Sequence, residues 1–330
     1  MRLLVTGGAG YIGSHCVTEL LKAQHEVTVV DNLSTGFRQS LQIKSNQGID
    51  FVQEDIRHQD AIEKILQQKK IEGVVHFAAK LVVPESVTHP LDYYDNNVIG
   101  SLKLIQACHK VGVHRFVFSS TAAVYGDGLG RPSKETDPAV PINPYGASKH
   151  MVEQILEDYS RANKDFRFIA LRYFNVAGAS VDGDNGQRTK GATHLIKVAS
   201  EVAVGKRPSM HIFGTDWSTP DKTCVRDYIH VQDLSQAHVV ALSALEKGHQ
   251  GGIFNCGYGK GSSVREVINM VSQVSGRKVS AVESPRRPGD PELLVSDPGR
   301  LKGELRWQPQ FDSLELICRT AYEWEKKKTT

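Results

Sequence analysis

No uninterrupted apolar run in this 330-residue chain approaches the ~20 residues that a bilayer-spanning helix requires. Cysteine is sparse and scattered. Cys16, Cys108, Cys224, Cys256 and Cys318 show neither metal-ligand spacing nor a disulfide framework, so each is expected inside the fold as a small apolar residue. A Gly/Asp-rich stretch from Gly178 to Gly191 carries Asp182, Asp184 and Asn185 but not the ligand spacing of an EF-hand, and no metal is expected. An excess of one charge is also missing: 40 Lys+Arg against 37 Asp+Glu leave +3. Lys326-Lys327-Lys328 reads as a solvated helix end rather than a nucleic-acid patch. There is no internal repeat and no low-complexity segment, and the first strand pattern begins at residue 2, leaving no room for a secretory leader. With membrane, secreted, zinc-module and nucleic-acid classes set aside, the expectation is a soluble, reduced, cytoplasmic protein long enough for two unequal lobes.

What is present begins at the N-terminus. Arg2-Leu-Leu-Val-Thr6 reads as a buried parallel strand. Gly7, Gly10 and Gly13 follow at three-residue intervals, around Tyr11 and Ile12, and a helical apolar pattern continues through Val17, Leu20 and Leu21. Glycines are needed where the chain turns sharply and where backbone must approach a pyrophosphate, whose charge the helix N-terminus then holds. After the next apolar strand, Val27 to Val30, stands Asp31, where an acid should accept hydrogen bonds from an adenosine ribose. Its carboxylate would repel a 2′-phosphate, and Asn32 and Leu33 offer no cation in compensation, so NAD is favoured over NADP.

Strand and helix patterns alternate, which argues for a parallel sheet covered on both faces. Strands are expected near 2–6, 26–30, 50–54, 73–77, 114–119 and 167–173, and helices near 12–23, 58–69, 92–111 and 145–162. Smaller pieces follow: helices over 192–204, 231–246, 263–275 and 312–326, and strands at Met210–Phe213 and Ile253–Cys256. The fold class is therefore α/β. A Rossmann-type doubly wound parallel sheet is expected over 1–176, completed by part of 230–258, with a smaller mixed α/β substrate-binding lobe over 177–330. Ligands gather at the carboxyl ends of such strands. That places Asp55 and Ile56 near the adenine and lets Phe77, Ala78 and Ala79 admit the dinucleotide, with Asn96 at the start of a helical stretch. Each has a structural alternative: Asp55 as a turn residue, Asn96 as a helix hydrogen bonder, His76 as a satisfied core histidine.

Tyr145-Gly-Ala-Ser-Lys149 supplies chemistry. A tyrosine and a lysine four residues apart share one helix face, where the ammonium favours a phenolate able to take a proton from a sugar hydroxyl. Lowering a tyrosine from about 10 to about 7 requires roughly 4 kcal/mol, which one close cation and a positively charged nicotinamide can supply together. The strand ending Ser119-Ser120-Thr121 offers a hydroxyl facing that helix.

LLVTGGAGYIGSH, VVDNLSTG, PLDYYDNNV, FVFSSTAAVYG, PINPYGASKHMVEQIL, LRYFNVAGA, VRDYIHVQDL and PRRPGD occur in that order. On these stretches the chain resembles the extended short-chain dehydrogenase/reductases, and within them the UDP-glucose 4-epimerase group. The resemblance implies that Tyr145 is the base toward the sugar 4-hydroxyl, that Lys149 holds the nicotinamide ribose, and that Thr121 bridges the 4-oxygen and the phenol. It implies a tightly bound NAD touched also by Tyr11, Ile12, Asn32 and Phe174. For the UDP-hexose it implies Asn175, His194, Leu195, His211, Phe213, Arg226, Arg287, Asp290 and Leu294. The chain departs from the usual pattern at Thr121 (serine is common), Leu81 (lysine is often found), His194 (usually asparagine) and Leu294. At the last position a tyrosine or cysteine usually lines the hexose pocket, and leucine leaves the acceptance of N-acetylated UDP-sugars open. Ala122 and Ala123 replace the acid and base of 4,6-dehydratases, and Ala123 the glutamate of UDP-glucuronate decarboxylases, which disfavours both. An epimerase for a pentose or uronate UDP-sugar and a non-catalytic NAD sensor remain as alternatives. Relatives pair through helices matching 92–111 and 145–162, so a homodimer is expected; Leu102, Leu104, Ile105, Val152, Ile155 and Leu156 supply apolar positions there, some of which must face the chain's own sheet.

Overall fold

The computed structural model describes residues 1–42, 48–189, 191–287 and 289–328. Lys190 of the Gly178–Gly191 stretch and Pro288 of PRRPGD lie outside the described residues. Seven parallel strands form the central sheet: β1 (Arg2–Thr6), β2 (Glu26–Val30), β3 (Asp50–Val52), β4 (Gly73–His76), β5 (Arg115–Thr121), β6 (Arg167–Tyr173) and β10 (Gly252–Cys256), in the order β10-β6-β5-β4-β1-β2-β3. Side chains alternate across each strand. Val5, Val29, Val75, Val117 and Ile169 pack on one face, and Leu4, Val30, Val74, Phe116 and Phe168 on the other. Helices α1 (Tyr11–Lys22) and α8 (Val231–Glu246) cover the first face; α2 (Gln59–Gln68), α5 (Gly100–Val111) and α6 (Pro144–Ala162) cover the second. Both faces are dry, which is why these strands read as continuous apolar runs.

The topology places the site. The chain winds one way from β1 to β2 and β3 and the other way from β4 onward, so Thr6 and His76 stand side by side at the reversal. A crevice at the carboxyl ends of the strands at such a switch point is where α/β sheets bind ligands. The second region carries shorter strands: β7 (Asn175–Ala177), β9 (Val225–His230), β11 (Gly261–Ser263) and β13 (Leu293–Leu294) in one sheet, β8 (Met210–Phe213) and β12 (Ala281–Ser284) in another.

Several expected boundaries shift for local reasons. The third strand ends at Val52, leaving Asp55 and Ile56 in the loop beyond it, whereas the fifth runs on to Thr121. The helix expected over 92–111 starts at Pro90 and contains a π-helical turn, Tyr94–Ile99. The helix expected over 192–204 begins at Leu195. Val225–His230 is a strand despite Arg226 and Asp227 within it, because Asp227 is fully buried and accepts from the backbone of Tyr258, Gly259 and Ser296. All five cysteines are buried and free.

Candidate active site

The glycine turn is shaped by contact. Gly7 has φ +70°, and a Cβ there would lie 2.5 Å from the Ala78 nitrogen; one on Gly13 would lie 2.3 Å from the Gly7 carbonyl. Only glycine lets β1, the Phe77-Ala78-Ala79 segment and the start of α1 come this close. Gly10 is the N-cap of α1 and offers no side-chain cap, leaving the first amides of the helix for an anion. This cradle fits a dinucleotide pyrophosphate.

Asp31 follows β2 directly and is buried, accepting from the amides of Ala9 at 2.9 Å and Leu33 at 2.8 Å. Burial pushes its carboxyl up, and those two amides oppose the shift. It thus holds the glycine turn as well as facing the expected ribose. Asn32 donates to Asp55 at 3.0 Å. Arg57 pairs with Asp55 at 2.8 Å and with Asp95 at 2.5 Å, holding the Asp55 carboxyl well below the usual range. Arg57 was not singled out in the sequence, where nothing local marks it. Tyr11 turns its hydroxyl away from the turn, donating to the Gly178 carbonyl at 2.6 Å, and Ile12 follows in the first turn of α1.

His76 is a satisfied core histidine, between Thr6 Oγ1 at 2.6 Å and Ser101 Oγ at 2.8 Å. Asn96 donates to Asn97 at 2.9 Å. Asn97, fully buried, bonds both backbone groups of Lys80 and donates to Ser148 Oγ at 3.0 Å, one residue before Lys149. The π-helical turn, a frequent mark of functional sites, carries this asparagine. Lys80 itself pairs with Asp92 at 3.0 Å and Glu85 at 3.8 Å.

At the centre, the end of β5 meets one face of α6 three times. Thr121 lies beside the Tyr145 phenol and favours its ionised form, the Ser119 carbonyl accepts from Lys149 Nζ at 2.8 Å, and Ser120 Oγ donates to Glu153 Oε1 at 2.5 Å. Residues 145, 149 and 153 are successive turns of that face. Glu153 extends the register and forms a buried fork with Arg172, at 2.9 and 2.7 Å; Arg172 continues to Tyr125, and Tyr125 donates to Asn255 at 2.7 Å. The spacing from Lys149 could have drawn attention to Glu153; its partner could not be read from sequence. Burial pushes the Tyr145 phenol up, with Thr121 opposing. Burial also pulls Lys149 down to about 7, with Glu153 opposing. In the protein alone, Thr121 and not Lys149 opposes the effect of burial on Tyr145, whereas the spacing pointed to Lys149 together with a nicotinamide.

A small apolar cluster joins this centre to the second region. Phe174 and Leu294 pack with Ala122, Val124 and Tyr125, and Leu294 lies beside Arg226 in the β13–β9 register. Asn175 opens β7 opposite Tyr228. Arg226 lies 3.9 Å and Arg287 3.0 Å from Asp290, and the Arg287 guanidinium stacks on Phe213 at 4.6 Å. Two cations and an aromatic face thus converge, a set suited to a nucleoside diphosphate. His194 and Leu195 form the N-terminus of α7 (Leu195–Ala203). His211 is exposed and bonds Ser284 at 2.8 Å, its ring stacked with Phe213.

Residues 3–257 match the model of the NAD dependent epimerase/dehydratase family. The chain belongs to that family. A UDP-glucose 4-epimerase of Azospirillum brasilense is 49% identical over 325 residues, covering 98% of this chain and 92% of that protein. The crystal structure of a UDP-glucose 4-epimerase from Stenotrophomonas maltophila, with bound NAD and formylated UDP-arabinopyranose, superposes with a TM-score of 0.97 at 38% identity, covering 100% of this chain and 99% of that one. The UDP-Glc/GlcNAc 4-epimerase of Campylobacter jejuni superposes with a TM-score of 0.87 at 46% identity, over 99% of each chain. Ala122 and Ala123, which follow β5 directly, carry only methyl groups, which cannot move protons. Among the described residues no helix is long and apolar enough to cross a membrane, and no group of three His, Cys, Asp or Glu side chains could hold a metal ion.

Proposed function

We propose that this chain is an NAD-dependent UDP-glucose 4-epimerase, interconverting UDP-glucose and UDP-galactose. The observation that carries the reading is the register of Tyr145, Lys149 and Thr121 at the crevice between a dinucleotide cradle and a pair of arginines. Gly7, Gly10 and Gly13 with Asp31 hold the cofactor, Asp55, Ile56, Phe77 and Asn96 flank it, and residues 1–176 with β10 form its lobe. Residues 177–330 grip the UDP through Leu195, Phe213, Arg226, Arg287 and Asp290, with Asn175 at the junction of the two lobes. Bound NAD would supply the redox chemistry, a reversible hydride exchange with C4 of the hexose that passes through a 4-keto sugar. Tyr145 takes the proton of the 4-hydroxyl and gives it back, while Thr121 holds the 4-oxygen against the phenol. Lys149 orients the nicotinamide ribose and favours the phenolate. A hexose free to turn beneath a fixed UDP accounts for inversion.

The same chain forms a homodimer in this reading. Leu104, Ile105, Val152 and Leu156, offered above as interface positions, are buried in the chain's own core. Leu91 (79% exposed), Ile99 and Met151, on the same helical stretches, are exposed instead, and a second copy would cover them. Five buried thiols suit the reducing cytoplasm. The test is isotopic. UDP-galactose deuterated at C4 should yield UDP-glucose with the label kept at C4 in unlabelled water; loss of the label to solvent would exclude hydride return and the mechanism with it.

A further inference from the structure

His194 stands at the N-cap of α7, and its Nδ1 lies 2.9 Å from the amide nitrogen of Gln187. An amide NH2 only donates, so Nδ1 accepts. Burial and the Lys197 ammonium both disfavour the imidazolium, and Lys197 is itself fixed between Glu201 at 3.0 Å and Glu325 at 2.6 Å. A neutral imidazole carries one N–H; with Nδ1 accepting, the proton is on Nε2.

Gln187 is held in its turn. Trp324 Nε1 donates to its carbonyl at 3.2 Å, and the Arg188 guanidinium stacks on the same indole at 4.8 Å. Gly186 packs so tightly that a Cβ would lie 2.5 Å from that ring. The Gln187 amide nitrogen also lies 3.4 Å from Thr189 Oγ1, a hydroxyl able to accept from it. The C-terminal helix α11 (Leu314–Lys327) thus sets the loop whose amide sets the histidine.

We propose that Gln187 is a positioning residue that holds His194 as the Nε2–H tautomer, so that the ring offers a hydrogen-bond donor to the diphosphate of a UDP-sugar at the N-terminus of α7. The proposal rests on the substrate reading above. An asparagine at position 194 has a donor in its own amide whichever neighbour it meets. A histidine has a donor on the ligand side in only one of two neutral tautomers; the other turns a lone pair toward phosphate oxygens, acceptor against acceptor. A histidine here needs a partner that selects the tautomer, and Gln187 does so.

The test uses full-length protein labelled with nitrogen-15 at histidine, read by long-range proton–nitrogen correlation, with His194→Asn identifying the signal. The wild type should show a protonated Nε2 and a bare Nδ1. Gln187→Met keeps the side-chain length and removes the amide; it should mix the tautomers and raise KM for UDP-galactose about tenfold, the scale of one hydrogen bond to a charged group. The kcat should change by less than about twofold, because the diphosphate is held equally in ground and transition states. A wild-type ring protonated on Nδ1 would overturn the proposal without reference to any variant, as would a folded Gln187→Met protein with unchanged tautomer and KM. Calorimetry with UDP separates the two levels: wild-type protein that binds no UDP overturns the substrate reading and the diphosphate role together, whatever the tautomer.

Discussion

Replacing Lys149 with methionine should stabilise the cofactor-free protein while abolishing turnover. The ammonium is 3% exposed, and burial lowers its pKa to about 7, against about 10.4 in the unfolded chain. Between those values the unfolded state binds the proton and the folded state does not, so stability is depressed at and below pH 7 and rises toward about pH 10. An interval of about 3.5 in pH corresponds to roughly 5 kcal/mol, of which about 4 applies at pH 7, where the folded group is half protonated. Methionine forfeits the hydrogen bond to the Ser119 carbonyl and leaves that oxygen short of a partner, together about 1–2 kcal/mol. The net gain is about 2–3 kcal/mol at pH 7. With an unfolding entropy of ~2.1 cal/mol/K per residue over 330 residues, Tm should rise by roughly 3–4 °C. Thermal melts of stripped protein from pH 6.5 to 10 read it: the wild-type Tm climbs with pH, and the advantage of the variant vanishes near the top. A variant less stable than wild type at pH 7, or a difference flat with pH, would refute the claim that the site holds its lysine against a desolvation cost.

Other outcomes follow from the same geometry. Tyr145→Phe should lower kcat by about 10²–10⁴-fold, the range for losing a general base, and leave NAD bound, as a spectrum of the purified protein would show. Arg172→Met strands the buried Glu153 carboxylate (1% exposed) and should cost about 3–5 kcal/mol in denaturant unfolding; a loss below about 1 kcal/mol would mean that the fork is not what holds α6 against β6. Leu91→Glu should convert the proposed homodimer to a monomer in sedimentation equilibrium, because it puts a charge at an exposed apolar position, and a mass that stays dimeric would move the interface elsewhere.

The cofactor half was legible in the sequence because its signals are local. Gly7 must be glycine for a reason visible in spacing alone, and the apolar runs of β1, β2 and β6 are strands buried on both faces. Tyr145 and Lys149 share a helix face by arithmetic. What the sequence hid depends on residues far apart in the chain. His76 could be a ligand or a core residue until Thr6 and Ser101 were seen to satisfy it. Asn97 was passed over for Asn96 because the π-helical turn that buries it has no pattern of its own. The strand at Val225–His230 was missed because its arginine and aspartate argue against burial; only the amides of Tyr258, Gly259 and Ser296 make Asp227 tolerable there. Which of the interface positions face inward was hidden for a related reason: helical periodicity marks an apolar stripe but not whether it faces the chain's own sheet or a second copy.

The most direct test is to incubate the purified protein with UDP-galactose and no added NAD, with UDP-GalNAc in a parallel reaction. The account predicts UDP-glucose in the first, made by a cofactor that stayed bound through purification, and the second reports whether Leu294 leaves room for an acetamido group. No conversion of UDP-galactose, with or without added NAD, would contradict it and turn attention to pentose or uronate UDP-sugars.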